Sequence, residues 1–257
     1  MKLCIDVGNT TIGFGFYSES KLTNKLILAT VTTKSSDEYY ASIKLLIKEQ
    51  GIDISLVDGL IYSSVVPSIN ETLFKVLNKL FKGVKINILD TSSPHDIKMD
   101  IDNPKEVGSD LLADLVGAKA KYKLPLIVID FGTATKLLLL DKSGAFSSAL
   151  IMPGVEVAAK SLFTKAALLP EVDLAEYKKL SDSKNTIDCI KHGILYGHLE
   201  SILGLCARYE QELGYKLNKV ITGGSMIYFK DLFPKEYLFD ENLVLDGEYI
   251  VLNKLHQ

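Results

Sequence analysis

The 257-residue chain is 47% hydrophobic, which is enough apolar surface to build one large core or two smaller ones. Its 29 basic and 32 acidic residues give a formal net charge of -3, and no basic block stands out that could neutralise a row of phosphates. The composition is therefore that of an ordinary globular protein and argues against nucleic acid as a partner.

The cysteines and the apolar segments bear on cellular location. Cys4, Cys189 and Cys206 are far apart and lack CxxC spacing, so neither a disulfide framework nor a zinc site is indicated. A polar turn begins at Gly8, and no apolar run approaches the roughly 20 residues that a membrane span needs. We expect a cytoplasmic protein with no membrane partner.

The N-terminal half begins with β-rich apolar segments at 2–7, 12–18 and 25–32, which predict three strands. The stretch after them predicts a helix, with Ser35 and Glu38 as a capping box and Gly51 at its end. Next come a strand in DGLIYSSVV, an amphipathic helix in PSINETLFKVLNKLFKG and a strand in VKINIL.

The second half repeats this order. LPLIVID, TKLLLLD and GAFSSALIM predict three strands. Helices are predicted from about Gly154 to Phe163 and across SKNTIDCIKHGILYGHLESILGLCARYEQELG, followed by a strand in LNKVITGG. Because the pattern occurs twice at a long period, it indicates a duplicated domain rather than a solenoid. We place the domains at residues 1–118 and 119–257.

Both halves contain the same turn, in CIDVGNTTIGFGFY at 4–17 and VIDFGTATKLLLLD at 128–141. A strand that ends in Asp and passes at once to Gly presents a carboxylate and backbone N–H groups at one sheet edge, a combination that holds a metal-bound phosphate. Two such turns facing each other would clamp a nucleotide triphosphate. Hydroxyls are offered by Thr10, Thr11, Thr133 and Thr135. Alternatively, each is a tight hairpin in which Gly and Asn supply positive φ.

Other phosphate-binding motifs are absent or weak in this sequence. The chain has no GxxxxGK[ST] loop, and no GxGxxG that follows a strand and opens a helix. Thr222-Gly223-Gly224 could bring backbone N–H groups near an adenosine or its phosphates, but a pair of glycines after a strand can equally form a simple turn.

A set of short motifs, taken in order, resembles the type III pantothenate kinase family of the actin-like and sugar kinase superfamily. The set consists of DVGNT, NPKEVGSD, DFGTAT, Pro153-Gly154, Leu169-Pro170, NTIDCIKHG and TGG. The resemblance implies an α/β fold of duplicated actin-like ATPase (ribonuclease H-like) domains, each starting with three strands followed by alternating helices and strands. It also implies ATP-dependent phosphorylation of pantothenate to 4′-phosphopantothenate in coenzyme A biosynthesis, with Mg²⁺, K⁺ or NH₄⁺, and a homodimer.

The resemblance assigns roles by position. Asp130 matches a monovalent-cation ligand, and Asp6 would hold Mg²⁺ through the phosphates. Asp110 matches the general base, and Thr186 a residue that reaches into the neighbouring subunit's substrate pocket. The ATP-binding residues are Asp6, Val7, Gly8, Asn9, Thr10, Thr11, Ile12, Gly13 and Thr133. The substrate-binding residues are Gly108, Ser109, Asp110, Leu111 and Thr186.

The chemistry of Asp110 agrees with that role. An alcohol is a poor nucleophile, and a carboxylate at about 2.6 to 3.2 Å can orient it and accept its proton. Gly108 permits a close approach, and a helix predicted from about Ser109 would bring its N-terminus to the anionic chemistry. Alternatively, Asp110 only complements the helix dipole.

The acceptor side departs from the family. Ile101 and Leu111 stand where a tyrosine and an arginine are usual, and Lys136 where Thr or Ser is usual. Losing a guanidinium removes charge-assisted hydrogen bonds of about 1.5 to 3 kcal/mol each. Three interpretations remain open: weaker pantothenate binding with a lysine at 119, 121 or 123 substituting, a related small alcohol as acceptor, or a nucleotide-binding regulator with little kinase activity. His192 and His198 are expected to serve packing or the surface, since their six-residue spacing does not suit metal ligands.

Overall fold

The computed structural model describes residues 1–166, 168–175 and 179–256, which form two compact units. Unit 1 comprises Met1–Ile97, Ile101–Lys121 and the segment from Asn242 onward; unit 2 comprises Lys98–Asp100 and Tyr122–Glu241. The predicted boundary after residue 118 lies three residues before Lys121, where this part of unit 1 ends. The prediction also assigned the segment from Asn242 onward to the second domain, whereas it belongs to unit 1. The hydrophobic pattern that predicts a helix does not say which sheet the helix covers.

Eleven strands and six α-helices are present in the described part of the chain. The strands are β1 (Lys2–Val7), β2 (Thr11–Ser18), β3 (Lys21–Ala29), β4 (Gly59–Ser64), β5 (Ile86–Ile88), β6 (Lys98–Met99), β7 (Leu126–Phe131), β8 (Ala134–Leu140), β9 (Ala145–Pro153), β10 (Asn218–Thr222) and β11 (Tyr237–Phe239). The helices are α1 (Ser36–Glu49), α2 (Pro67–Leu80), α3 (Ser109–Lys121), α4 (Val155–Lys165), α5 (Thr186–Leu213) and α6 (Leu243–Leu255).

The two sheets share one topology. Unit 1 has the order β3-β2-β1-β4-β5, and unit 2 has β9-β8-β7-β10-β11 with β6 added beside β9. In each, the first strand of the repeat is central, antiparallel to the next strand and parallel to β4 or β10. The duplication predicted from the repeated turn is confirmed by this match.

Local signals place the helices of unit 1 as predicted. Ser35 and Glu38 form the capping box, with the Ser35 backbone N–H donating to Glu38 Oε2 at 2.8 Å. The apolar stripe of α2 packs into the core of unit 1 through Leu73, Val76, Leu77 and Leu80. Amphipathic spacing therefore fixed the buried face of this helix.

Helix α5 provides much of the core of unit 2. Asn185 caps its start by accepting from Asp188 N at 3.0 Å, and Gly214 ends it with a φ of 71°. His198 is buried with its Nε2 2.9 Å from Thr135 Oγ1, and burial lowers its pKa. His192 Nδ1 lies 2.7 Å from Ser183 Oγ, so both histidines are packing residues. Among the described helices, none is both long and apolar enough to cross a membrane.

Helix α6 covers β1 and β4 and packs on α3 at very close range. A β-carbon added at Gly247 would lie 1.9 Å from the carbonyl oxygen of Ala113. The next residue, Glu248, is fully buried, and neither carboxyl oxygen has a hydrogen-bond partner among the described residues. Burial raises the pKa of Glu248 well above its usual range and the Asp6 carboxylate raises it further, while the nearby Ser63 hydroxyl opposes the shift.

We predict that Gly247→Ala destabilises unit 1 by at least about 2 kcal/mol, because overpacking forces backbone to move. Gly204→Ala is the control, since a β-carbon there meets nothing within 4 Å on an exposed part of α5. Removing a helical glycine should stabilise by about 0.5 to 1 kcal/mol. Thermal and urea unfolding measure both, and equal stability of the two variants would contradict the close packing.

We predict that Glu248→Gln flattens the pH dependence of stability in the nucleotide-free protein. With its pKa raised in the folded state, Glu248 costs nothing below its unfolded pKa of about 4.3, and folding loses stability as the pH rises above that value. Glutamine cannot ionise, so the melting temperature of the variant should gain on the wild type between pH 4.5 and pH 8. The control Glu49→Gln, at an exposed position, should show no such gain in melting temperature. Parallel pH profiles for Glu248→Gln and the wild type would contradict the raised pKa of Glu248.

Candidate active site

Asp6 lies near the carboxyl end of the central strand β1, between two small neighbours. Across the parallel pair it faces Ser63, whose hydroxyl donates to Asp6 Oδ1 at 2.8 Å. Across the antiparallel pair it faces Gly13, where an added β-carbon would meet no atom within 4 Å. The carboxylate therefore accepts a hydrogen bond from the neighbouring strand, and the residue opposite it on β2 has no side chain.

The turn after β1 presents its polar residues outward. Asn9, Thr10 and Thr11 are exposed, whereas Val7 and Ile12 are buried in the core of unit 1. The Gly8 N–H donates to the Thr11 carbonyl at 2.9 Å, and the Thr30 hydroxyl donates to the Gly8 carbonyl at 2.6 Å. Of the predicted ATP-binding residues, Val7 and Ile12 can thus offer only backbone atoms.

The alternative reading of the turns as positive-φ hairpins is not supported. Neither Gly8 nor Asn9 has a positive φ, and Gly132 in the second turn does not either. These glycines are not needed for left-handed backbone. A β-carbon at Gly8 would lie 3.3 Å from the Thr11 carbonyl oxygen, and one at Gly132 would lie 3.4 Å from that of Ala134.

Asp110 lies in the first turn of α3, which is fastened to the same edge of the unit 1 sheet. The Ser64 N–H donates to Ser109 Oγ at 3.2 Å, and Ser64 pairs with Val7 at the ends of β4 and β1. The structure therefore brings the segment 108–111 and the turn 6–13 to one edge. Apart from the family resemblance, no sequence pattern links these two segments, which are about a hundred residues apart.

The Asp110 carboxylate explains why position 108 is a glycine. A β-carbon there would lie 2.5 Å from Asp110 Oδ1, so any larger residue would push the carboxylate away. Oδ1 also accepts from the Leu111 N–H at 2.8 Å, which is the kind of helix-start contact that the simpler interpretation expected. Both uses of Asp110 are compatible, because a carboxylate has several lone pairs.

The departures from the family pattern lie in unit 1. Ile101 and Leu111 are both half-buried. Of the lysines considered as substitutes for the missing arginine, Lys119 donates to the Asp96 carbonyl at 2.6 Å and Lys121 pairs with Asp246 at 2.5 Å. The Lys119 ammonium is therefore held by the segment before β6, and that of Lys121 by α6.

The corresponding turn in unit 2 differs in its charge. Asp130 faces Lys136 across the antiparallel pair, and Lys136 Nζ lies 2.7 Å from Asp130 Oδ2. Thr133 is exposed, but Thr135 is fully buried with its hydroxyl on His198. The expectation that Thr135 offers a hydroxyl to phosphate is therefore wrong, because alternation along β8 turns its side chain into the core.

Two glycine motifs pack against this second turn. A β-carbon at Gly154 would lie 2.3 Å from the Gly132 carbonyl, and the Gly154 N–H donates to the Thr133 carbonyl at 3.0 Å. Gly223 has a φ of 92°, and its β-carbon would lie 2.4 Å from Asp130 Oδ1. Glycine at position 223 thus has a structural role within unit 2, since it makes room for the Asp130 carboxylate. The nucleotide contact at Thr222-Gly223-Gly224 stays a prediction.

Thr186 is the exposed first residue of α5. It lines an open groove of about 580 Å³ together with Leu162, Leu169, Asn185, Ile190 and Ile194. Leu162 in α4 and Ile187, which follows Thr186 in α5, are both exposed, so this part of unit 2 presents apolar surface.

No group of three or more His, Cys, Asp or Glu within the described residues is placed to hold a metal ion.

Comparisons with known proteins place the chain. Its fold matches component A of the (R)-2-hydroxyglutaryl-CoA dehydratase of Acidaminococcus fermentans with a TM-score of 0.58, covering 100% of this chain and 99% of that one at 15% identity. Such low identity speaks for the fold alone. The type III pantothenate kinase of Halalkalibacterium halodurans is 34% identical over 254 residues, covering 99% of each chain. That of Exiguobacterium sibiricum is 32% identical over the same length and coverage.

The family model for type III pantothenate kinase matches residues 2–208, a range that includes both Asp-x-Gly turns and Asp110. The duplicated actin-like fold implied by the motif set is confirmed by the two matching sheets and by the structural comparison. The chain belongs to the type III pantothenate kinase family.

Proposed function

We infer that the chain is an ATP-dependent kinase that phosphorylates the primary hydroxyl of pantothenate, giving 4′-phosphopantothenate for coenzyme A biosynthesis. The observation that carries this inference is the arrangement in unit 1, where the fastening of Ser109 to Ser64 brings Asp110 to the sheet edge that carries Asp6. The family match over residues 2–208 supplies the substrate class.

In the proposed reaction, the pantothenate hydroxyl oxygen forms a bond to the γ-phosphorus of ATP as the bond from that phosphorus to the leaving oxygen of ADP breaks. Asp110 orients the hydroxyl and accepts its proton. Gly108 leaves room for this carboxylate, and the N-terminus of α3 favours the nearby negative charge.

The turn 6–13 is the proposed ATP loop of unit 1. Its exposed residues Asn9, Thr10 and Thr11 can donate hydrogen bonds to phosphate oxygens. Mg²⁺ carried by the phosphates would neutralise charge as the phosphoryl group is transferred. Asp6 fits as a partner for the hydrated ion, because the bond from Ser63 fixes its carboxylate and Gly13 leaves space beside it.

We propose Thr133, which is exposed in the turn after β7, as a further phosphate contact. We also propose a homodimer in which Thr186 completes the substrate pocket of the neighbouring subunit. The exposed position of Thr186 and the apolar groove around it support that proposal, since apolar surface on a soluble protein favours association.

The replacement of a tyrosine and an arginine by Ile101 and Leu111 favours one second candidate, a kinase for a related but less polar alcohol. Half-buried aliphatic side chains cannot offset the desolvation of a carboxylate. A regulator that binds nucleotide without turnover stays an alternative that the assay below separates from both kinases.

The first test is Asp110→Asn. Loss of a general base should lower acceptor-dependent ADP release by about 10²-fold or more while nucleotide binding is kept. Asp102→Asn removes the same charge at an exposed position of the preceding segment and should retain wild-type turnover.

A coupled ADP-release assay with pantothenate and a panel of small alcohols measures this, with the phosphorylated product identified by mass spectrometry. Near wild-type turnover of Asp110→Asn with the best acceptor would remove it as the base. ATP binding without release for any alcohol would favour the regulator.

The second test restores the family's residues. We predict that Leu111→Arg combined with Ile101→Tyr raises kcat/KM for pantothenate by roughly 10-fold or more, equivalent to about 1.4 kcal/mol. The new guanidinium could pair with the carboxylate of the substrate. The single arginine of the chain, Arg208, lies in α5 of unit 2.

Leu111→Met with Ile101→Leu is the matched control, because it changes the side chains without adding polar groups. Tight pantothenate binding by the wild type, with no gain from the Arg and Tyr pair, would show that this pocket recognises the acid in another way.

A further inference from the structure

Unit 2 contains a shielded charge pair between Asp130 and Lys136. The two residues face each other in the register of β7 and β8, and their charged atoms are 2.7 Å apart. The side chains are only 9% and 13% exposed, respectively. This pair is therefore largely shielded from water, unlike most surface ion pairs.

The carboxylate is enclosed on its other side by the chain itself. Oδ2 meets the ammonium of Lys136, while Oδ1 lies so close to Gly223 that a β-carbon there would approach to 2.4 Å. Gly132 also passes close, since its β-carbon would lie 3.7 Å from Oδ1. Little of the Asp130 carboxylate is left for an added ion.

This arrangement does not fit the bound K⁺ or NH₄⁺ that the family resemblance implies at Asp130. A second monovalent cation beside the same carboxylate would be repelled by the ammonium that is already there. The ammonium group of lysine carries the same single charge as K⁺ or NH₄⁺ and is a compact, point-like cation.

We propose that Lys136 is a built-in monovalent cation, so that this chain needs no K⁺ or NH₄⁺ for activity. The proposal rests on the proposed kinase function. In the kinase, Lys136 Nζ supplies the positive charge at the Asp130 turn that a free ion would otherwise supply. The side chain is attached to β8, so this charge cannot dissociate.

A purely structural ion pair is the competing explanation, and the family's usual residue at position 136 separates the two. Threonine at 136 would remove the ammonium, leave the Asp130 carboxylate in place and open space at the end of the β8 side chain. Lys136→Thr should therefore acquire a requirement for K⁺. Lys136→Met is the control, because it removes the charge but keeps a long side chain in the space a cation would take.

Activity is measured as pantothenate-dependent ADP release in choline chloride, NaCl, KCl or NH₄Cl at equal ionic strength. The wild type should vary less than about 2-fold among these salts. Lys136→Thr should lose about 10-fold or more in choline chloride and regain most of it in KCl or NH₄Cl, whereas Lys136→Met should stay low in every salt. Strong stimulation of the wild type by K⁺, or full activity of Lys136→Thr in choline chloride, would overturn the proposal.

A second measurement does not depend on catalysis. The melting temperature of Lys136→Thr should rise in KCl relative to choline chloride, because an ion that binds only the folded state stabilises it, and that of the wild type should not. If neither pantothenate nor any alcohol of the panel supports ADP release, the kinase assignment fails, while this thermal comparison still decides the cation proposal. Should Lys136→Thr fold in neither salt, the wild type alone decides, since a K⁺-specific stabilisation of it would overturn the proposal and its absence would support it.

Discussion

Each half of the molecule is organised around one carboxylate at the carboxyl end of a central strand, and the neighbours of that carboxylate determine what it can bind. Asp6 has Ser63 on its parallel side and Gly13 on its antiparallel side; Asp130 has Thr222 and Lys136 in the same two places. The hydroxyl-bearing neighbour is shared, but the antiparallel neighbour has changed from no side chain to a cation. A duplicated scaffold thus presents one carboxylate that faces a glycine and one that faces a lysine of its own chain.

A half-buried carboxylate needs hydrogen bonds or an opposite charge, and the two units meet that need differently. In unit 1, the Ser63 hydroxyl donates to Asp6 at 2.8 Å, and burial raises the pKa of Glu248 in the same unit. In unit 2, the ammonium of Lys136 lies at 2.7 Å. The same requirement is met in unit 1 by the hydroxyl of Ser63 and in unit 2 by the ammonium of Lys136.

Much of this could be predicted from the sequence, because the signals are local. The capping box at Ser35, the stripe of α2 and the repeated strand-Asp-Gly turns each depend on residues a few positions apart, and all three agree with the structure. The burial of Thr135 depends on which face of β8 its side chain occupies, and the presence of a hydroxyl group does not reveal that face. The pair between Asp130 and Lys136 could have been found, since strand register after a short turn sets which side chains meet.

Other features could not be predicted from local patterns. The fastening of Ser109 to Ser64 joins residues 45 apart, and the close contact of Gly247 with Ala113 depends on how two helices cross. Both are tertiary contacts for which a single sequence carries no periodic signal.

The return of α6 to the first unit also has a consequence for the order in which the chain folds. During synthesis, the segment 122–241 is complete before α6 has been made, so unit 2 has nearly all of its residues while unit 1 still lacks the helix that covers β1 and β4. Until then, the buried faces of those strands stay exposed to other chains. Closing unit 1 therefore requires contacts across almost the full length of the chain, which is the kind of long-range contact that slows folding.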